Sequence, residues 1–179
     1  LLETNFWVAV STRYTHDRTT NLNMITSPPE PMTPHGDTVH IADNAAPLKT
    51  RPRALPFWRG GSLDVEIAYE TWGTLDARKS NVVFILPGLS PDAHATSSTR
   101  DPSPGWWEDM VGPQKNICTD KHFVICINHL GSCFGSTGPA SKNHAGEVLG
   151  MSFPKLSIED LALAATYVLD ELKIESAHT

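Results

Sequence analysis

Two loops rich in glycine, serine and proline follow the two most continuous apolar runs of the sequence. The run HFVICI at residues 122–127 leads into GSCFGSTGPAS at residues 131–141, and NVVFIL at residues 81–86 leads into PGLSPDAH at residues 87–94. Apolar runs of this kind are typical of strands buried on both faces of a parallel sheet. Ligand contacts in open α/β sheets lie beyond the carboxyl ends of such strands, so both loops are candidate site segments.

The loop at residues 87–94 offers a backbone donor that acyl-transfer chemistry could use. Leu89 has a free backbone N–H, and Gly88 lets the chain turn this group towards a substrate. Such donors stabilise the oxyanion of a tetrahedral intermediate, and in α/β-hydrolases the loop after an early strand supplies one of them. The alternative is an ordinary strand-to-loop turn, because Pro-Gly is a common turn pair. The residues alone leave both interpretations open.

In the loop at residues 131–141, Cys133 is a candidate nucleophile, since GSCFG at residues 131–135 fits the pattern Gly-x-Cys-x-Gly. A nucleophile elbow requires a helix directly after its turn, but Gly138 and Pro139 follow here. We therefore predict a loop that packs closely on backbone, with Cys133 as a small buried or half-buried residue. Phosphate binding by residues 135–138 is disfavoured, because no lysine lies at P-loop spacing.

A histidine and two carboxylates accompany the loop at residues 87–94. His94 could act as a general base, but a lone loop histidine is more often a structural hydrogen-bonding residue, which is our prediction. Asp92 and Asp101 are expected to cap or brace the loop, since neither has a paired base in view. Two adjacent tryptophans are predicted to be core and rim residues and two acidic residues to be solvated: Trp106, Trp107, Glu108 and Asp109.

Two further elements would position these loops. Residues 63–70 alternate apolar with polar or small side chains, which predicts a half-exposed strand. Its apolar face would carry Leu63, Val65, Ile67 and Tyr69. Ser157 and Asp160 fit a capping box that begins a helix. An apolar stripe at spacings of three and four is expected to pack this helix on the sheet: Ile158, Leu161, Ala165, Val168 and Leu172.

The first 56 residues differ in composition from the rest. They are rich in threonine, asparagine and proline, show no sustained hydrophobic period, and include SPPEPMTP at residues 27–34. This composition is typical of extended or disordered chain. We therefore predict a poorly structured segment over residues 1–56 and a folded α/β unit over residues 57–179.

Charge and cysteine usage disfavour several classes of function. The 179 residues carry 14 basic and 20 acidic side chains, for a formal net charge of -6, and the basic residues form no run. Nucleic-acid and anionic-membrane partners are therefore not expected. No run of about 18 apolar residues predicts a membrane helix. The three cysteines are expected to be reduced, and neither they nor the eight histidines show a metal-ligand spacing.

A set of motifs in a fixed order resembles one enzyme family. The motifs are ETWG at residues 70–73, the loop at 87–94, GWW at 105–107, MVGP at 110–113, FVIC at 123–126, GSTGP at 135–139, and FP at 153–154 followed by IED at 158–160. Their combination, between residues 63 and 179, resembles the homoserine/serine O-acyltransferases of the α/β-hydrolase fold. The resemblance implies a mostly parallel sheet covered by helices, acyl-CoA as co-substrate, no cofactor and no metal.

Two departures from the homoserine pattern indicate the serine branch of this family. GLSP at residues 88–91 stands where homoserine enzymes usually carry Ala-Leu-Thr-Gly, and GSC at residues 131–133 stands where they tend to carry Gly-Gly-Cys. The resemblance therefore implies a serine O-succinyltransferase-like enzyme that supplies cysteine biosynthesis. It places the Leu89 N–H in the oxyanion hole and assigns Gly88, Leu89, Ser90 and Pro91 to amino-acid binding.

The family's ping-pong mechanism uses a serine on a Gly-x-Ser-x-Gly elbow with an Asp–His pair. No such elbow occurs in this sequence, so the resemblance places the triad beyond Thr179, and the chain alone is expected to be inactive. A homoserine O-acetyltransferase, an ester hydrolase of the same fold and an inactive truncated chain are the alternatives. The protein is expected in the cytoplasm, with the mitochondrion as the alternative, and as a homodimer when full length.

Overall fold

The computed structural model describes residues 47–88 and 90–177. In chain order, the strands of this part are β1 (Leu48–Lys49), β2 (Arg53–Pro56), β3 (Ser62–Val65), β4 (Ala68–Trp72), β5 (Val82–Ile85), β6 (Val111–Gly112), β7 (Ile117–Cys118) and β8 (Phe123–Ile127). A 3₁₀ turn (Gly150–Ser152) precedes the α-helix of this part, α1 (Ile158–Glu171).

A mixed four-stranded sheet, in the order β1–β4–β8–β5, forms the centre of the fold. β5 runs parallel to β8, with Val82 opposite Phe123. β4 runs antiparallel to β8, with Tyr69 opposite Ile127, and β1 runs antiparallel to β4. The strands predicted within residues 81–86 and 122–127 are therefore confirmed, as is a parallel pairing.

The two predicted strands differ in how completely they are buried. Every residue of β8 is buried, because this strand has a neighbour on each side and packing on both faces. In β5, Val83 and Phe84 are only half-buried, since β5 lies at the edge of the sheet within the described residues. The prediction of burial on both faces thus holds for β8 and only in part for β5.

Alternate residues of β8 point into two separate apolar cores. Phe123, Ile125 and Ile127 pack in a core that also contains the buried residues of α1. Val124 and Cys126 pack on the opposite face, with side chains from the long connection between β5 and β8. Because successive side chains of a strand point to opposite faces, one apolar run serves both cores.

The segment predicted as one strand over residues 63–70 forms two strands, β3 and β4. The backbone N–H groups at the break bind side chains instead of a neighbouring strand. Glu66 N–H donates to Thr137 Oγ1 at 2.9 Å, and Ile67 N–H donates to Thr50 Oγ1 at 3.0 Å. The predicted apolar face is nevertheless correct, since Val65 and Ile67 are completely buried.

Strand structure begins before residue 57, so the predicted boundary there is wrong. β2 pairs with β3 in antiparallel register, with Leu55 opposite Leu63, and Leu55 is completely buried. β1 and β2 are two and four residues long, which is too short for a hydrophobic period to be visible. The rest of the segment predicted to be poorly structured, residues 1–46, lies outside the described residues.

Helix α1 begins at the predicted capping box. Ser157 Oγ accepts from the Asp160 N–H, and the Asp160 side chain accepts from the Ser157 N–H. Of the predicted stripe, Ala165 and Val168 are buried and Leu161 and Leu172 pack against the same core, but Ile158 is 77% exposed. In the described part of the chain, no helix has both the length and the apolar character required to cross a membrane.

Candidate active site

The two candidate loops begin at the same end of the sheet, where the parallel strands β5 and β8 reach their carboxyl ends. His129, two residues after β8, joins them: its Nε2 lies 2.6 Å from the carbonyl oxygen of Pro87, which follows β5. A carbonyl can only accept, so Nε2 carries a proton and donates it. The carboxyl ends of these strands are therefore held together at the location where ligands bind in open α/β sheets.

The loop after β8 folds back on the chain that leads into β4. Ser136 Oγ accepts from the Ala68 N–H at 2.8 Å and donates to the Asn128 carbonyl oxygen at 2.6 Å. The Thr137 N–H donates to the Glu66 carbonyl oxygen at 2.9 Å. These hydrogen bonds attach the loop after β8 to the residues that lead into β4 and so fix it beside the carboxyl end of β8.

No nucleophile elbow is formed by this loop. Residues 131–141 adopt turns and bends without a helix, and a Cβ on Gly138 would lie 2.5 Å from the Ser132 carbonyl oxygen. The predicted close packing on backbone is therefore confirmed. Cys133, however, is exposed, and the prediction of a buried or half-buried side chain is wrong. Residues 136–138 are buried and form the inner side of the loop, which leaves Cys133 on the outer rim.

The loop at residues 88–91 lies between two ends that the rest of the fold holds. Gly88 and Ser90 are exposed and Pro91 is half-buried, while Leu89, our candidate oxyanion donor, lies outside the described residues. Gly88 does not adopt the left-handed backbone conformation, and a Cβ there would lie 3.9 Å from Pro91 Cδ, an ordinary contact. A small side chain at position 88 would therefore fit without moving the chain.

The carboxyl end of this loop is held by Asp92. Its carbonyl oxygen accepts from Trp106 Nε1 at 2.9 Å and lies 3.9 Å from the Cys126 thiol, while its carboxylate accepts from the His94 N–H at 3.0 Å. The bracing role predicted for Asp92 is confirmed. Trp106 stacks on Trp107 with ring centroids 5.2 Å apart, and the first is exposed while the second packs on the core, as predicted.

His94 connects three segments of the chain through its ring. Nδ1 lies 2.9 Å from Glu70 Oε2 on β4, and Nε2 lies 2.9 Å from the Ser103 carbonyl oxygen. The side chains of His94 and Glu70 are only 13% and 11% exposed. Asp101 accepts from the Ser103 N–H at 3.0 Å, which braces the same segment. His94 is thus a structural hydrogen-bonding residue, as predicted, but the sequence analysis did not identify its partner Glu70.

The electrostatics of this pair favour a proton on the histidine. Burial by itself lowers the pKa of His94, but hydrogen bonds to Glu70 and the Ser103 carbonyl, with the charges of Glu70 and Asp101, outweigh it and raise the pKa above 6.5. Burial raises the pKa of Glu70 above 4.5, and the hydrogen bond and charge of His94 offset this only in part. The pair therefore retains its shared proton to higher pH than a free histidine does.

Glu108 was predicted to be solvated, and this prediction is wrong. Its carboxylate accepts from the Ser97 N–H at 2.7 Å, from Ser97 Oγ at 2.8 Å and from the Gly105 N–H at 3.0 Å. The hydrogen bonds from the backbone of Ser97 and Gly105, followed by that from the Ser97 hydroxyl, lower the pKa of Glu108 from 4.5 to about 2. Glu108 therefore fixes the segment that leads to Trp106, whereas Asp109 is exposed as predicted.

Three polar side chains in the segment after β8 have buried atoms without a hydrogen-bond partner among the described residues. These atoms are Asn128 Oδ1, His129 Nδ1 and Ser132 Oγ. Buried polar atoms in folded proteins nearly always have a partner, so a further polar contact is expected at the segment that follows β8. The described residues contain no group of three histidine, cysteine, aspartate or glutamate side chains that could hold a metal ion.

Comparisons with known proteins agree with this architecture. The serine O-succinyltransferase of Stenotrophomonas maltophilia is 57% identical over 126 residues, which are 69% of this chain and 34% of that protein. The L-serine/homoserine O-acetyltransferase of Streptomyces lavendulae is 55% identical over 125 residues, 69% of this chain and 31% of that protein. This chain therefore spans about a third of the length of these curated relatives.

A solved structure supports the same assignment. The homoserine O-acetyltransferase of Bacillus anthracis is 32% identical, with a TM-score of 0.64, over 71% of this chain and 36% of that structure. No protein-family model matches the chain. From the identities to these relatives and the strand arrangement around β5 and β8, this chain belongs to the homoserine/serine O-acyltransferase family and has the corresponding part of an α/β-hydrolase fold.

Proposed function

We propose that the protein carrying this chain transfers an acyl group, preferably succinyl, from acyl-CoA to the hydroxyl of L-serine. The observation that carries this proposal is the 57% identity to a relative named serine O-succinyltransferase. The anchored loops at the carboxyl edge of β5 and β8 offer a rigid frame for such a reaction, since a rigid scaffold positions functional loops. The product, O-succinyl-L-serine, would be an activated serine for cysteine biosynthesis.

The reaction requires a nucleophile, which we assign outside the described residues. In the first half-reaction, a serine hydroxyl would attack the thioester carbonyl, and CoA would leave as the thiol. In the second, the hydroxyl of the amino acid would attack the acyl-enzyme ester and release the enzyme's serine. We assign the Leu89 N–H to the oxyanion hole of both steps. Acyl-CoA is a co-substrate, so the reaction needs no bound cofactor.

Gly88, Leu89, Ser90 and Pro91 are assigned to the choice of amino acid. Serine is one methylene shorter than homoserine, so its hydroxyl must be brought closer to the acyl group. Pro91 fixes its own φ and stiffens this loop, and the loop spans only four residues between Pro87 and Asp92, both of which are hydrogen-bonded to other segments. A one-methylene choice made by packing is worth about 10- to 200-fold.

A homoserine O-acetyltransferase is the second candidate. It is favoured by the Streptomyces lavendulae relative, whose name includes both amino acids and acetyl transfer. Acetyl and succinyl differ by a carboxylate, so the donor would be chosen by a cationic group near the acyl chain. The homodimer and the cytoplasmic setting are part of the same proposal.

The decisive experiment is a matrix of donors and acceptors. The full-length protein that contains this sequence would be supplied with succinyl-CoA or acetyl-CoA and with L-serine, L-homoserine or water. Thiol release and mass spectrometry identify each product. Succinyl transfer to serine should give the highest kcat/KM. Preferred transfer to homoserine would establish the second candidate, and release of free acid without an amino acid would establish an ester or thioester hydrolase.

A chimera makes the test independent of the remainder of the gene. In the Stenotrophomonas maltophilia enzyme, the matched 126 residues would be replaced by those of this chain. We expect this chimera to retain serine O-succinyltransfer, because the loops would then meet a complete catalytic triad. Loss of serine transfer in a folded chimera would contradict the assignment of the acceptor loop to this chain.

A further inference from the structure

We propose that Glu70 and His94 form a buried, proton-dependent link between separate segments of the chain, and that the folded protein loses stability when this proton is lost above neutral pH. The link joins β4, which carries Glu70, to the connection between β5 and β8, which carries His94 and Ser103. The inference concerns the stability of the fold, so it does not depend on the proposed function or on the identity of a substrate.

The ring of His94 is placed so that both nitrogens face acceptors. Nδ1 lies 2.9 Å from a carboxylate oxygen of Glu70, and Nε2 lies 2.9 Å from the carbonyl oxygen of Ser103. A carbonyl has no proton to give, so Nε2 must donate. The contact with Glu70 then requires a second proton, either on Nδ1 or on the carboxyl group. Loss of this proton brings two lone pairs together in a site where the two side chains are only 13% and 11% exposed.

The backbone on either side of His94 is fixed by contacts that do not titrate. Ala93 and Ala95 are completely buried. The carbonyl oxygen of His94 accepts from the Trp106 N–H at 3.3 Å, and that of Ala95 accepts from the Trp107 N–H at 2.8 Å. These hydrogen bonds hold the segment whatever the protonation of the ring. The repulsion that follows deprotonation is therefore not relieved by local movement and lowers the stability of the folded state as a whole.

The charges around the pair are negative on every side. The groups that act electrostatically on Glu70 and His94 are the carboxylates of Asp92 and Asp101. Cys126 approaches from β8, and burial raises the pKa of its thiol, which therefore stays neutral. In the described part of the chain, no lysine or arginine forms an ion pair with any of these carboxylates. Without the proton on the pair, like charges remain close together at reduced dielectric and repel each other.

The direction of the pH dependence follows from the two states of the chain. Burial by itself lowers the pKa of His94, but hydrogen bonds to Glu70 and to the Ser103 carbonyl outweigh it and raise the pKa above 6.5. The unfolded chain gives up the same proton at about pH 6.5. The stabilising contribution is therefore fully present below pH 6.5 and is lost as the pH rises through the midpoint of the folded protein. Between these two values, unfolding releases up to about one proton per molecule.

Two variants separate the proton from the packing. Glu70→Gln keeps the size of the side chain, and its amide can donate to Nδ1 of a neutral His94, so the hydrogen bonds survive and the shared proton is lost. His94→Gln removes the titrating ring. The chain offers a matched control on its surface, where His144 Nε2 lies 3.2 Å from Asp64 Oδ2 and the histidine is 90% exposed. The control variants are Asp64→Asn and His144→Gln.

The first readout is the protonation of His94 itself, which needs no variant. In full-length protein labelled with ¹⁵N-histidine, we expect the ring of His94 to titrate above 6.5. Glu70→Gln should lower this midpoint, and Asp64→Asn should leave it unchanged. A midpoint at or below 6.5 in the unmodified protein would overturn the proposal, even if the variants failed to fold.

The second readout is the number of protons released on unfolding, which is the slope of the free energy of unfolding against pH. Urea denaturation of the full-length protein between about pH 7 and about pH 9 measures this slope. The unmodified protein should release up to about one proton more than Glu70→Gln or His94→Gln. The double variant should match either single variant, because each substitution removes the same proton. The two surface controls should keep the parent slope.

The comparison of slopes distinguishes a proton-dependent link from an ordinary structural contact. If both buried variants are destabilised by the same amount at every pH, the pair contributes only packing and neutral hydrogen bonds, and the proposal is wrong. Equal flattening of the slope by Asp64→Asn would show a general effect of charge and would also refute it. A slope that changes in the two buried variants alone supports the proposal.

Discussion

Replacement of Asp160 should destabilise the protein much more than replacement of its neighbour Glu159. Asp160 is only 2% exposed. Its Oδ1 accepts from the Trp58 N–H at 2.7 Å, and its Oδ2 accepts from the N–H of Ser157 at 2.8 Å. The Trp58 contact joins residues 102 positions apart. One carboxylate therefore caps helix α1 and attaches it to the turn after β2.

The expected magnitude follows from the donors that Asp160→Ala would leave without a partner. A buried donor without an acceptor costs about 1–3 kcal/mol, and two backbone N–H groups lose theirs. Both donors are only partly buried, so water recovers some of this energy, and we expect a loss of about 2–4 kcal/mol in the free energy of unfolding. Glu159 is an exposed acid in the same helical turn. Glu159→Ala should lose only its interaction with the helix dipole, about 0.3–1 kcal/mol.

Urea denaturation of the full-length protein, followed by circular dichroism, measures both changes under the same conditions. Burial by itself raises the pKa of Asp160, but hydrogen bonds from Trp58 and Ser157 and the charge of Arg59 outweigh it and lower the pKa below 3.8. The contribution of Asp160 should therefore be present above this pH and be lost below it. Equal destabilisation by the two substitutions at neutral pH would refute the idea that this carboxylate attaches the helix to the sheet.

Three further changes test the site. Cys133→Ala should lower kcat/KM in the full-length enzyme by less than about 10-fold, or about 1.4 kcal/mol, because its loop forms no nucleophile elbow; loss of all turnover in folded protein would contradict this. The combined substitution Gly88→Ala, Ser90→Thr and Pro91→Gly should shift the kcat/KM ratio towards homoserine by about 10- to 100-fold, with acyl-enzyme formation much less affected; an unchanged ratio would remove the loop as selector. Stability should fall as pH drops from 4.5 towards about 2, because the pKa of Glu108 is lowered over that interval; Glu108→Gln should flatten the urea-midpoint profile there, and an identical profile would show that this carboxylate adds nothing.

Elements whose causes are local could be predicted from the sequence. The helix start at Ser157 depends on a capping box within four residues, and the strands β5 and β8 are visible as continuous apolar runs. Turn chemistry after β8 also excluded an elbow correctly, because proline and glycine at fixed positions prevent a helix whatever surrounds them. In each case the information lies within one short window of the chain.

Features set by distant contacts were missed. Glu70 and His94 are 24 positions apart, and nothing in the window around either residue indicates that they meet. Glu108 was predicted to be solvated because the sequence does not show which groups donate to its carboxylate. The N–H groups of Ser97 and Gly105 come within hydrogen-bonding distance of it only in the folded chain. The strand break at Glu66 has a similar cause, since the Glu66 N–H donates to the hydroxyl of the distant Thr137 instead of to a neighbouring strand.

The proposed choice of amino acid by residues 88–91 depends on distant contacts in the same way. Residues 88–91 contain no side chain able to bind serine by itself through charge. The residues on either side of them are held in place, Pro87 by His129 and Asp92 by its indole and thiol contacts. A loop held at both ends has few conformations to lose when substrate binds, so small changes in its shape are expressed in the transition state rather than absorbed by motion. Under the proposed function, selectivity should therefore respond to residues that hold the ends of this loop without touching the amino acid, such as His129.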